Sequence, residues 1–227
     1  MKKSGSRRFL TAWWFLLAME IVDMNGMCAW RGVVTLLLSA VAVLLSSCQS
    51  SAGGGSGVPG HHAVGTVPIM GRGSATVPEL ASFLLQEHPQ ADAKEVLELA
   101  EIYVEEARIE GVNHDVAFCQ MCLETNYLRF GGDVHRSQNN FAGIGATGNG
   151  VPGDSFESER IGVRAQIQHL KAYASTKRLR SPLVDPRFAR VTRGSAPYVE
   201  NLTGKWATDP NYGPKIIKIL KSLTGQP

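Results

Sequence analysis

A single glutamate interrupts an otherwise apolar helical segment. It lies in His114-Asp115-Val116-Ala117-Phe118-Cys119-Gln120-Met121-Cys122-Leu123-Glu124-Thr125-Asn126-Tyr127, and Gln138-Asn139-Asn140-Phe141-Ala142-Gly143-Ile144-Gly145 follows. A carboxyl group among Phe118, Met121, Cys122, Leu123 and Leu128 loses hydration, and desolvation raises its pKa towards neutrality. A carboxylic acid that keeps its proton near pH 7 is the group needed to break a glycosidic bond. The plain alternative places Glu124 on the wet side of an amphipathic helix.

The elements that must position this acid follow from periodicity and punctuation. Pro78 at a first turn opens a short helix through Glu87, stopped by Pro89. A second helix is expected from about Asp92 to Glu110, with Val96, Ala100, Tyr103, Val104 and Ala107 at helical spacing and Gly111 ending it. Asn113 caps a third, expected to run to about Phe130 before Gly131-Gly132. With almost no polar face between Val116 and Leu123, it should lie at the centre of the domain. After a loop-rich stretch from Asp133 to Phe156, Ser158 caps a helix carrying Val163, Ile167, Leu170 and Ala174. Asp209-Pro210 opens the last, striped by Tyr212, Ile216, Ile219, Leu220 and Leu223. No alternating run is long enough for a sizeable sheet. The expected fold is mainly α (α+β), with a central buried helix and at most a small β-hairpin.

Two motifs are decoys. Gly143-Ile144-Gly145-Ala146-Thr147-Gly148 spells G-x-G-x-x-G, but a helix and polar loop precede it and Gly150-Val151-Pro152-Gly153 follows, so the strand–turn–helix of a dinucleotide site is missing. Cys119 and Cys122 form a C-x-x-C in mid-helix, without a second pair or an H-x-x-x-H, and read as core thiols. No metal or cofactor is expected.

The N-terminus reads as targeting sequence. Arg31 precedes the apolar run Val33 to Leu45, too short to span a bilayer comfortably, and Leu45-Ser46-Ser47-Cys48 resembles a lipobox. Residues 1–47 are then a signal peptide and Cys48 the lipidated first residue. The upstream run Phe9 to Val22 would be a second export signal in series, which points to Met24 or Met27 as the true start. Residues 48–76 read as the lipidated cysteine and a flexible Ser/Gly-rich linker, and residues 77–227 as one domain. His61-His62 falls within the linker.

Charge is segregated. Nine acids between Glu79 and Glu110 face only Lys94 and Arg108, whereas from Arg160 onward 13 basic residues stand against Asp185, Glu200 and Asp209. A basic half can face an anionic polymer. Export argues against nucleic acid.

Three segments in order resemble a known family. Cys119-Gln120-Met121-Cys122-Leu123-Glu124-Thr125, Asn139-Asn140-Phe141-Ala142-Gly143-Ile144 and Trp206-Ala207-Thr208-Asp209-Pro210-Asn211-Tyr212 are similar to the L-E-(S/T), N-N-x-F-G-I-like and (Y/W)-A-T-D-P-x-Y motifs of the autolysin-type β-N-acetylglucosaminidases of glycoside hydrolase family 73. The resemblance spans about residues 78 to 223. It implies a lysozyme-like helical fold with a cleft for peptidoglycan strands and cleavage of the β-1,4 bond between N-acetylglucosamine and N-acetylmuramic acid. Glu124 then matches the catalytic acid, Tyr212 the tyrosine near the reaction centre, and Asn140, Phe141 and Ile144 the turn shaping the cleft. Tyr127, expected on the helix face of Glu124, and Trp206 join them as candidate sugar contacts.

The chain departs from the pattern in the hairpin, where many members carry a second carboxylate. Asp154, Glu157 and Glu159 are the acids there, and Glu157, 33 residues after Glu124, is the best placed. Without a second carboxylate the substrate's acetamido group can assist. The expectation is a monomeric, exported peptidoglycan hydrolase, held by its lipid to the cell envelope (to the outer membrane in a two-membrane host). A glycan-binding lipoprotein without turnover and a lytic transglycosylase are the alternatives.

Overall fold

The computed structural model describes residues 66–148 and 150–226; the expected signal peptide, Cys48, His61-His62 and most of the expected linker lie outside them. The fold is mainly α and lysozyme-like, with five helices and one small antiparallel hairpin among the described residues. The helices are α1 (Val77–Glu87), α2 (Ala93–Glu110), α3 (His114–Glu124), α4 (Glu159–Ala174) and α5 (Tyr212–Thr224). The hairpin pairs β1 (Ala146–Gly148) with β2 (Val151–Pro152).

The boundaries follow the expected caps. The Asp92 side chain accepts from the backbone N–H groups of Lys94 and Glu95, both at 2.9 Å, and Gly111 closes α2 at φ 75°. The Asn113 side chain accepts from Asp115 N–H at 3.0 Å. Each satisfies donors that a helix start leaves open. Every residue of α3 from His114 to Cys122 is buried, and the helix packs on α1, α2, α4 and α5. Cys119 and Cys122 are free thiols in this core, and burial pushes both pKa values up.

Helix α3 is shorter than expected. It stops at Glu124, and Asn126, Tyr127, Leu128 and Phe130 all take left-handed backbone, with φ between 49° and 63°. Such conformations are uncommon for non-glycine residues and persist only where surroundings enforce them. Thr125 enforces them here: its hydroxyl donates to Met121 O at 2.8 Å and accepts from Leu128 N–H at 2.9 Å, while its carbonyl accepts from Phe130 N–H at 2.7 Å.

The ordered domain also begins earlier than residue 77. Ile69 is fully buried, and its N–H and C=O pair with Pro197 and Asn113 at 3.0 and 2.9 Å. Asp115, buried near the start of α3, accepts from Ser74 N–H at 2.7 Å and from Ala75 N–H at 3.2 Å. Lacking a long apolar run, this segment reads as linker, yet one isoleucine and a row of backbone bonds dock it.

Part of the charge segregation is spent inside the fold. Arg160 and Arg164 on α4 bind Glu106 on α2 at 2.8 to 3.0 Å, and Lys171 reaches Glu110 at 2.7 Å with both side chains almost fully enclosed. Acidic α2 and basic α4 therefore neutralise each other across their contact, and these groups are not free to meet an anionic polymer.

Candidate active site

Glu124 ends α3 half-buried, and two residues from a distant part of the chain, Tyr212 and Trp206, hydrogen-bond to its carboxyl. The Tyr212 hydroxyl donates to Glu124 Oε1 at 2.5 Å. Tyr212 is the first residue of α5, seated by Gly213 N–H donating to Thr203 Oγ1 at 3.0 Å and by close approach of Gly213 to Val199 and Glu200. Burial is the largest influence on Glu124 and lifts its pKa to about 7, with the Tyr212 and Trp206 hydrogen bonds opposing part of the rise. Below about pH 7 the group carries a proton it can give.

Trp206 stands beside this pair. Its indole packs edge-on against the His169 ring at 4.9 Å and lies 5.8 Å from the Tyr173 ring. His169 in turn contacts buried Asp185 through Nδ1 at 2.7 Å. Trp206 also borders the small cluster of Ala142, Ile144 and Ala165, linking the 140–144 turn to α4.

The turn residues act differently from the expected sugar contacts. Asn140 is buried and ties the turn to itself: its Nδ2 donates to Ile144 O and Asp154 O, both at 2.9 Å, and its Oδ1 accepts from Ile144 N–H at 3.0 Å. Phe141 is fully buried against Tyr103, and Ile144 is buried beside Ala142. These three side chains hold the wall rather than face a ligand. What the turn presents is Gly143, at φ 62°, where an added Cβ would stand 3.3 Å from Glu124 Oε2.

That proximity gives a prediction. Gly143→Ala should cost about 1–2 kcal/mol of stability for the left-handed backbone and displace the carboxyl, lowering turnover about tenfold. Thermal melting and turnover measured together check it; wild-type turnover would show that the approach has no consequence for the acid.

Tyr127 is also reassigned. Because α3 ends three residues earlier, Tyr127 does not share its face with Glu124; its ring lies 6.2 Å from Phe83 of α1 and joins the core. Burial lifts its hydroxyl pKa to about 12. Of the hairpin acids, Asp154 pairs with Arg187 at 2.9 Å and Glu159 with Arg136, while Glu157 is exposed and shares no hydrogen bond or ion pair with Glu124.

Sequence reasoning missed Gln120, which donates through Nε2 to the Tyr212 hydroxyl at 2.9 Å. The signal was present: Gln120 and Glu124 are four apart in an apolar helix and so share a face. The hollow beside Pro78 and Ser222 and the one between Arg72 and Arg108 both lie away from this group.

Comparison with known proteins agrees with this geometry. The family model described as "Glucosaminidase: Mannosyl-glycoprotein endo-beta-N-acetylglucosaminidase" matches residues 100–225. An uncharacterised protein of Borreliella burgdorferi is 47% identical over 155 residues, covering 68% of this chain and 76% of the relative. No solved structure shows significant similarity. The match takes in Glu124, the 140–144 turn, Trp206 and Tyr212 together, and the chain belongs to the glucosaminidase family of glycoside hydrolases, of the endo-β-N-acetylglucosaminidase type.

Proposed function

We propose that the protein cleaves the β-1,4 bond between N-acetylglucosamine and N-acetylmuramic acid in peptidoglycan, with Glu124 as general acid. The observation that carries this is the half-buried Glu124 carboxyl, its pKa lifted to about 7 and its Oε1 held by Tyr212 at 2.5 Å. As the bond lengthens, Glu124 protonates the leaving oxygen. The Tyr212 hydroxyl then stabilises the carboxylate that forms.

The oxocarbenium-like centre needs a second partner. A carboxylate placed about 5–5.5 Å away, as in retaining enzymes, would add like-charge repulsion to the acid. Burial and two hydrogen bonds are the influences acting on Glu124, and none is a carboxylate. We therefore assign this role to the substrate's own acetamido group. Glu157→Gln should then leave turnover near normal; a loss comparable with that of Glu124→Gln would make Glu157 the second catalytic group.

Muropeptides released by the purified protein test the whole reading by mass spectrometry. Products with reducing N-acetylglucosamine ends are expected. Anhydro-muramyl ends would show a lytic transglycosylase, and binding without release a glycan-binding module.

The localisation rests on Leu45-Ser46-Ser47-Cys48. We assign Cys48 as the lipidated residue anchoring a monomeric enzyme to the cell envelope. Cys48→Ser should move the protein out of the detergent phase; unchanged partitioning would overturn the anchor.

A further inference from the structure

Behind the Tyr212–Glu124 contact runs a line of buried polar side chains that the reaction as described does not use. The Tyr103 hydroxyl on α2 donates to Gln166 Oε1 on α4 at 2.5 Å. Gln166 Nε2 donates both to the Ala117 carbonyl at 3.0 Å and to Gln120 Oε1 at 2.9 Å. Gln120 Nε2 donates to the Tyr212 hydroxyl at 2.9 Å, which donates to Glu124 Oε1 at 2.5 Å. Tyr103, Gln120 and Gln166 are fully enclosed, and Tyr212 nearly so. The line touches α2, α4, α3 and α5 in turn.

Its direction is not free. A backbone carbonyl only accepts, so the Gln166 atom facing Ala117 must be the NH₂. That amide can then offer only a donor to Gln120, which must turn its oxygen towards it and its own NH₂ towards Tyr212. Tyr212 receives a hydrogen bond there and has one proton left to give. Reversing a link between Ala117 and Tyr212 sets donor against donor or acceptor against acceptor, and reversing the last leaves the Tyr212 proton without an acceptor, inside a core where an unmet polar group is costly.

We propose that the Ala117 carbonyl, Gln166 and Gln120 form a one-way hydrogen-bond chain that locks Tyr212 as a donor to Glu124 Oε1, so that the acid's proton resides on Oε2. This rests on Glu124 being the general acid. Oε2 is the oxygen turned to Gly143 of the 140–144 turn. A proton on Oε1 would compete with the Tyr212 proton and point into the core. The chain therefore selects which oxygen carries the reactive proton, and Gln120 and Gln166 are positioning residues acting through Tyr212. The groups that hydrogen-bond to the carboxyl are Tyr212 from α5 and, as a second donor, the Trp206 indole from the loop before it, and no charged side chain among the described residues contributes to its proton affinity.

The test is the pH dependence of turnover on solubilised peptidoglycan. Gln120→Leu removes the donor to Tyr212, which is then free to accept from Glu124. The neutral acid gains a partner and the carboxylate loses one, so the alkaline limb should move up by about one pH unit. Turnover should fall about tenfold, with KM little changed, because the proton spends time on the wrong oxygen. Gln166→Leu touches neither Tyr212 nor Glu124, yet lets the Gln120 amide turn over, and should shift the limb in the same direction by less.

Gln120→Glu guards against a folding defect, being isosteric and still an acceptor for Gln166. Protonated, it donates to Tyr212 and should restore turnover at low pH. Ionised, it draws the Tyr212 proton away and adds a like charge behind the acid, so turnover should drop about tenfold as it ionises while the Glu124 limb itself moves up, as in Gln120→Leu. A ¹³C titration of the Glu124 carboxyl reads the same shifts without substrate.

An unmoved limb and titration in Gln120→Glu and Gln166→Leu, with both variants melting cooperatively, would overturn the chain as a positioning device. Glu124→Gln in the same assay separates the two levels. If it stays active, the acid assignment fails. If it is inactive while the glutamine variants keep the wild-type limb, only the chain fails.

Discussion

Replacing Glu124 by glutamine should remove at least about 10²-fold of turnover, because the amide matches the carboxyl in shape but has no proton to give a leaving oxygen. Glycan affinity should persist, since Tyr212 can still donate to the amide oxygen. In the wild-type protein turnover should fall as pH rises through about 7, where the acid ionises. The same substitution should alter stability with a definite sign. The folded-state pKa lies above the ordinary value of 4.5, so between about 4.5 and 7 the native state holds a proton that the unfolded chain has released. Wild-type stability must then decline with pH across that window. The amide in Glu124→Gln does not ionise, so the variant should melt higher than wild type at about pH 8 and alike at about pH 4. Discounted for partial exposure, the gain should be about 1–3 kcal/mol. Calorimetry at the two pH values measures it. Retained turnover would sink the acid assignment, and an absent stability gain would mean that the carboxyl is better solvated than its surroundings imply.

That such an acid was legible in the sequence, while its supports were not, has a physical reason. Glu124 stands out because its neighbours in the chain are apolar, a local property. Asp92, Gly111, Asn113 and Ser158 are legible for the same reason: capping and left-handed termini depend on a few adjacent residues. Gln166 and Lys171 on α4 look like residues of a wet face and become core groups only when α2 and α3 supply Tyr103, Glu110 and Gln120. The early end of α3 was hidden likewise. Asn126-Tyr127-Leu128-Arg129-Phe130 contains no glycine to announce left-handed backbone, and the conformation is set by the Thr125 hydroxyl and carbonyl. The misreading of Tyr127 followed directly, since a residue three along a continuing helix shares a face and one past its end does not. Asn140, Phe141 and Ile144 lie in the turn whose Gly143 approaches Glu124, but their side chains pack inward. A motif match says that a residue belongs to a site, not which of its atoms face the ligand.

The domain boundary carries the remaining large effect. A chain starting at Val77 should lose cooperative folding, whereas one starting at Thr66 should melt like the full-length protein. The segment between them buries Ile69 completely, and removing a buried isoleucine side chain costs about 2–5 kcal/mol. It also supplies backbone partners along its length: Val67 O to Val199 N–H at 2.9 Å, Ile69 N–H to Pro197 O at 3.0 Å, and Gly71 N–H to Gly111 O at 3.0 Å. The heaviest loss falls on Asp115, which sits almost fully enclosed and accepts from Ser74 and Ala75. Hydrogen bonds to a charged group are worth about 1.5–3 kcal/mol each, and leaving the carboxylate without them exposes its desolvation cost. Together these approach the whole stability of an ordinary domain, about 5–15 kcal/mol. Asp115→Asn in the longer chain separates the contributions: it keeps Ile69 and the strand-like pairing, so it should lower the melting point without abolishing the transition. A sharp melt in the chain starting at Val77 would show that the segment only rests on the domain. If folding is lost as expected, a stretch that reads as linker completes the core, and the acid at the end of α3 depends on residues 66–76 for the helix that carries it.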